Sequence, residues 1–160
     1  MAKFLITPTI HSEKVITARL GGNTSGTRCT DKDVGKPVKQ SGDSAYGICS
    51  AADAIEGIVT SVETGLYDQY VIGGVVRSGF ANVIARGLQA TEGTGALAVG
   101  DYVLAGTQTA VQTAMAKDYL PVVKATDQAA AKAAPFRARV ASLGPVGTGA
   151  VDTVVVIELL

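Results

Sequence analysis

The chain has 160 residues, of which 14 are basic and 14 acidic, so its formal net charge is zero. Nucleic-acid binding draws its affinity from clustered Lys and Arg, and this balance argues against it. Charged residues make up only 18%, against about 25% in an average globular protein; a surface so short of charge suits one covered by copies of itself or by a larger partner.

This length suits one compact domain that needs no staples, since a domain of this size buries roughly 70% of its unfolded surface. Cys29 and Cys49 match no zinc spacing. Two buried free thiols in a reducing cytoplasm are the plain reading, with a single disulfide across the interval as the alternative. The start, Met1 to Pro8, holds no apolar stretch long enough for a signal peptide, and no run approaches membrane-spanning length. The chain is therefore expected to be made in the cytoplasm, with no membrane partner.

In chain order, Lys3–Thr9 is extended in character and limited by Pro8, which cannot donate to a ladder. His11–Leu20 is mixed: Ser12-Glu13-Lys14 suits a helical start, Val15-Ile16-Thr17 a strand, and a strand is expected. Gly21–Gly26 reads as a flexible loop. Residues 1–30 are accordingly expected to form an arm and loop, and 31–160 a β-rich domain. Asp31–Pro37 turns into a short strand at Val38–Gln40. Gln40–Asp43 turns again, into a strand at Tyr46–Ser50, and Ala51–Ala54 connects, as one helical turn capped by Ser50, to a strand at Ile55–Glu63.

Thr64-Gly65 opens a loop to Tyr70. From there short Val, Ile and Ala runs are cut by glycine: Tyr70–Arg77, Phe80–Ala85, Asp101–Ala105, Leu120–Ala125, Phe136–Leu143 and Asp152–Leu160. Ser78-Gly79 suits a tight hairpin, Gly87–Ala98 a polar loop, Gly106–Gln108 a turn and Ser142–Ala150 a Gly/Pro-rich connection. Thr126–Ala134 is Ala-rich and stops at Pro135; being short, it is either a helix or a loop. The last run is nearly continuous Val and Ile and is expected to be buried on both faces. No periodic repeat is evident. Short β-type segments bounded by turn residues are the sequence form of a sandwich or barrel. The expected fold is an all-β, single-domain sandwich or barrel, jelly-roll-like, with an extended N-terminal arm and at most one or two short helices.

Chemistry is sparse. His11 is the sole histidine and has no serine or cysteine motif beside it to make it a general base. Gly21–Gly26 has phosphate-loop glycine spacing, but Thr27-Arg28 stands where Lys-Ser/Thr belongs. Asp31 with Asp33, and Asp43 with Asp53, are carboxylate pairs that extend into no cation-binding series. Arg77, Arg86, Arg137 and Arg139 fall on different strands, with few aromatics to stack bases. No catalytic residue, cofactor or metal ligand is expected, and the chain does not read as an enzyme.

Three stretches carry a resemblance: Ile55-Glu56-Gly57-Ile58-Val59-Thr60-Ser61-Val62-Glu63, Tyr70-Val71-Ile72-Gly73-Gly74-Val75-Val76 and Val99-Gly100-Asp101-Tyr102-Val103. In texture, from Val34 onward, the chain resembles the capsid decoration (cement) proteins of tailed bacteriophages. The resemblance implies a structural protein on the outer surface of the virion head, where it holds capsomers of major capsid protein together. It implies self-association as dimers or trimers and brings no catalytic residue with it. An arm such as Ala2–Thr9 is suited to adding a strand to a sheet edge of a capsid subunit or sister copy, which makes Lys3, Phe4, Leu5, Ile6, Thr7 and Pro8 the expected contact residues.

Overall fold

The computed structural model describes residues 5–6, 15–21, 28–42, 45–64, 71–77, 82–88, 96–106, 121–144 and 152–160. They form an all-β structure with one short α-helix and one 3-10 turn, Asp31–Asp33. The strands are β1 (Leu5–Ile6), β2 (Val15–Leu20), β3 (Pro37–Gly42), β4 (Ala45–Ile48), β5 (Gly57–Val59), β6 (Glu63–Thr64), β7 (Val71–Arg77), β8 (Asn82–Leu88), β9 (Tyr102–Ala105), β10 (Pro121–Lys124), β11 (Ala138–Leu143) and β12 (Asp152–Leu159). The helix α1 spans Gln128–Ala133. Val and Ile dominate the longer strands, as expected of side chains that pack well on a pleated, half-buried surface.

The strands divide into two sheets, and in each the pairing returns to its first strand. The first ring runs β2–β4–β3–β5–β7 and closes through β7–β2, with β6 continuing the line of β5 along β7. The second runs β8–β10–β9–β11–β12 and closes through β12–β8, with β1 added at β8. Ring closure pairs strands on both flanks and removes most of the sheet edge. The expected all-β barrel architecture is present, built as two five-stranded rings. The first draws on Val15–Leu20, a segment expected to belong to the arm and loop.

The two rings also share their connectivity and their register. In each, the first strand pairs parallel with the third and antiparallel with the last, while the remaining neighbours are antiparallel. Val38 faces Ile48 and Gly57; Val103 faces Lys124 and Ala138. Arg19 faces Ala45 and Ile72; Arg86 faces Pro121 and Val154. Loop bonds repeat as well: Gly35 N–H donates to the Val59 carbonyl at 2.7 Å, and Gly100 N–H to the Val140 carbonyl at 2.9 Å. Both glycines have positive φ, +86° and +95°, a conformation that costs a residue with a Cβ. The chain thus contains a structural repeat that its sequence periodicity did not disclose.

Burial follows the pleat. On β7, Val71, Gly73 and Val75 point inward, while Ile72 is exposed and Gly74 half-buried. The first ring encloses Leu20, Val38, Tyr46, Val59, Val71 and Val75, together with Ala18 and Cys29. The second cluster joins Val103, Val122, Val140, Val155 and Ile157 to four residues of the first ring's outer side, Cys49, Ile55, Ile58 and Val76. The second barrel therefore packs on the outside of the first. On β12, Val155, Ile157 and Leu159 are buried while Val154, Val156 and Glu158 are half-buried. This strand buries one face, and the expectation of two buried faces is corrected by its place in a small ring, whose outer side is only partly covered.

Candidate interaction surface

The junction between barrels is built from a turn and a strand end. Ala52 N–H donates to the Ala105 carbonyl at 2.8 Å, and Ala105 N–H donates to the Asp53 carbonyl at 2.9 Å. Ala52 holds a positive φ of 66° to make this approach. The 51–54 connection is therefore a turn and not a helical one. The Arg77 guanidinium lies 4.5 Å from the Phe136 ring centre and 5.7 Å from that of Tyr46, a cation–π arrangement bridging the two rings. A small apolar hollow lined by Ile55, Leu104, Ala131 and Phe136 lies beside it.

Helix α1 resolves the open reading of 126–134. Asp127 caps it by accepting from Ala130 N–H at 2.9 Å. The Gln128 side chain then behaves like a strand: its Oε1 accepts from Tyr102 N–H at 2.8 Å, and its Nε2 donates to the Tyr102 and Ala125 carbonyls, each at 2.9 Å.

The carboxylates weighed as cation ligands are committed elsewhere. Asp33 pairs with Lys36 at 2.6 Å and accepts from Thr30, while Asp31 is exposed. Asp53 pairs with Lys39 at 2.7 Å and accepts from Ser50 N–H; Asp43 lies outside the described residues. Asp101 pairs with Lys124 at 2.8 Å and accepts from Ala98 N–H. Burial works against the charge on Asp33 and Asp101, but the lysine and backbone bonds outweigh it, holding both carboxyls below the ordinary range. Arg139 and Glu158 form a further pair on the outer side of the second ring, with Arg139 Nε donating to Glu158 Oε1 at 2.6 Å. Among the described residues no group of three or more His, Cys, Asp or Glu gathers as a metal site.

Cys29 and Cys49 are both free and buried, in different clusters, which closes the alternative of a disulfide. Burial pushes their thiols up to about 11 and about 12, with nearby acidic groups adding to the effect; thiols so raised are poor nucleophiles near neutral pH.

Of the expected contact residues, Leu5 and Ile6 form β1, antiparallel to β8, with Leu5 facing Ile84 and Ile6 facing Val83. Lys3, Phe4, Thr7 and Pro8 lie outside the described residues, as do His11, residues 22–27 of the glycine-rich loop and the Ser78-Gly79 turn. The large apolar side chains exposed on the described surface are Val15, Ile72, Val99 and Leu143. Val15 and Ile72 share the outer face of the β2–β7 ladder, pairing with Val76 and Arg19 respectively. The sequence reading missed these positions; the outward phase of the strand pattern is the signal that marks them.

No helix among the described residues is long and apolar enough to cross a membrane. No protein-family model, curated protein or solved structure matches this chain.

Proposed function

We propose that this chain is a structural virion protein that binds the outer surface of a tailed-bacteriophage head and stabilises contacts between capsomers of major capsid protein. The observation that carries the reading is the pair of closed five-stranded rings. Ring closure fixes the surface before it meets a partner, which lowers the ordering cost of binding. The sequence resemblance and the low charge point the same way. Repetition over a shell multiplies individually weak contacts through effective concentration, and self-association as a dimer or trimer adds to that effect. The chemistry described above is used internally, in ion pairs and turn bonds, and the proposed activity is binding without catalysis.

Quantitative mass spectrometry of purified heads tests the reading. Copy numbers near those of the major capsid protein are expected, and presence only on tails, or absence from virions, overturns it. Deleting Met1–Thr9 should leave both barrels folded by circular dichroism and reduce head occupancy at least tenfold. Unchanged occupancy would remove the arm from the binding surface.

A further inference from the structure

The second ring is closed by a strand too short to cover the edge it closes on. On one flank β8 pairs with β12 along its whole length, from Asn82 to Leu88. On the other flank β10 pairs only with Arg86, Gly87 and Leu88. The gap left before Arg86 holds β1, antiparallel, with Leu5 facing Ile84 and Ile6 facing Val83. Among the described residues no other strand lies on that flank of β8. The sequence leading through this gap is Phe80-Ala81-Asn82-Val83-Ile84-Ala85, without charge, proline or glycine. Short β-prone segments of that kind pair readily with copies of themselves when their backbone is open. The β1 strand has the opposite character. It is two residues long, and in the sequence Lys3 and Pro8 bracket it closely; shortness, lysine and proline are the features that keep an edge strand from recruiting a further one.

We propose that β1 is an intramolecular guard: it fills the gap in the second ring and prevents two copies of the chain from joining edge to edge through β8. Without it, the backbone N–H and C=O groups of residues 82–85 on that flank would lack a ladder partner. The matching occupant is then the β8 of a second copy. An antiparallel pair is its own complement under two-fold symmetry, so Val83 of one β8 would face Ile84 of the other, over the stretch that stops short of β10. While the arm is intact, tethering gives the chain's own β1 a higher effective concentration at the gap than a second copy has. The inference is independent of the virion reading, since it concerns the chain in solution and its test contains no capsid.

Sedimentation velocity of the full-length chain and of a chain lacking Met1–Thr9 tests the guard, with circular dichroism checking that the truncated chain keeps its β signal. The truncated chain should associate with rising concentration beyond any association of the full-length chain, and its amide signals at 82–85 should shift over the same range. A synthetic peptide of residues 3–9, Lys-Phe-Leu-Ile-Thr-Pro-Thr, should reverse both changes. The same peptide N-methylated at Leu5 and Ile6 keeps the side chains but blocks the backbone donors, and it should reverse neither. The full-length Leu5→Pro, Ile6→Pro double variant also lacks both donors; it should associate in the same way, and it decides the matter if the truncated chain does not fold. Association that is unchanged or weaker on losing β1, shifts confined to residues outside 82–85, failure of the peptide to reverse the change, or equal reversal by the N-methylated peptide would overturn the proposal.

Discussion

A Cβ built at Gly57 would lie 2.6 Å from Val75 Cγ1 and 2.7 Å from the Val76 carbonyl oxygen. At Gly100 the same atom meets nothing within 4 Å, but φ is +95°. One glycine is required by contact, the other by conformation. Gly57→Ala should cost about 1–3 kcal/mol through overpacking, and Gly100→Ala about 1–2 kcal/mol through backbone strain alone. Urea denaturation separates the causes: Gly100→Asn should recover part of the loss because Asn tolerates that region, whereas Gly57→Asn should be worse than Gly57→Ala. Asp33 and Asp101 are expected to contribute to the acid limb of stability. Their folded-state pKa values lie below the ordinary carboxylate value, so between the two values the unfolded chain binds more protons and stability rises with pH. The contribution is complete above about pH 4 to 5 and is lost as pH falls through the lowered values. The Asp33→Asn, Asp101→Asn double variant should show a shallower fall of Tm below pH 4 than the parent chain; an unchanged slope would mean that other groups carry the acid response.

At the scale of elements, the strands were legible and their grouping was not. Val38–Gln40, Tyr46–Ile48, Val71–Arg77, Tyr102–Ala105 and Asp152–Leu159 all fall within expected β runs, because β-branched residues bounded by Gly and Pro leave the chain few other options. The expected strand Ile55–Glu63 divides into β5 and β6. Between them Thr60 N–H bonds to the Gly74 carbonyl and Ser61 Oγ accepts from Gly74 N–H, an approach open only because Gly73 and Gly74 lack side chains. That pairing joins residues distant in sequence, so local pattern could not reveal it. The repeat was hidden for a related reason. A ladder constrains which residues alternate inward, not which residues they are, and little identity survives beyond Val34-Gly35 with Val99-Gly100, Val38 with Val103, Ala18-Arg19 with Ala85-Arg86 and Val59 with Val140. The candidate surface was legible only in part: β1 lies inside the expected arm, while the exposed Val15 and Ile72 follow from the register of β2 on β7.

For the whole molecule, the unequal clusters lead to an expected order of opening. The first barrel's cluster is self-contained, whereas the second barrel's cluster includes Cys49, Ile55, Ile58 and Val76 from the first. Ile58 belongs by backbone to the first ring and by side chain to the second core, and it is fully buried. Ile58→Ser should therefore lower native-state hydrogen-exchange protection of Val122, Val140 and Ile157 by about 2–4 kcal/mol, with smaller effects at Val38 and Val75. An equal loss in both barrels would show that they open as one unit. The register places Arg139 and Glu158 in the second ring where the first has Ile58 and Val76. The face that receives a neighbour in one barrel is an ion pair in the other. Burying that pair against another unit would cost several kcal/mol per ion in lost hydration unless new partners were supplied. A further unit packed in the same way would therefore have to bury a charge pair where the first barrel buries two aliphatic side chains.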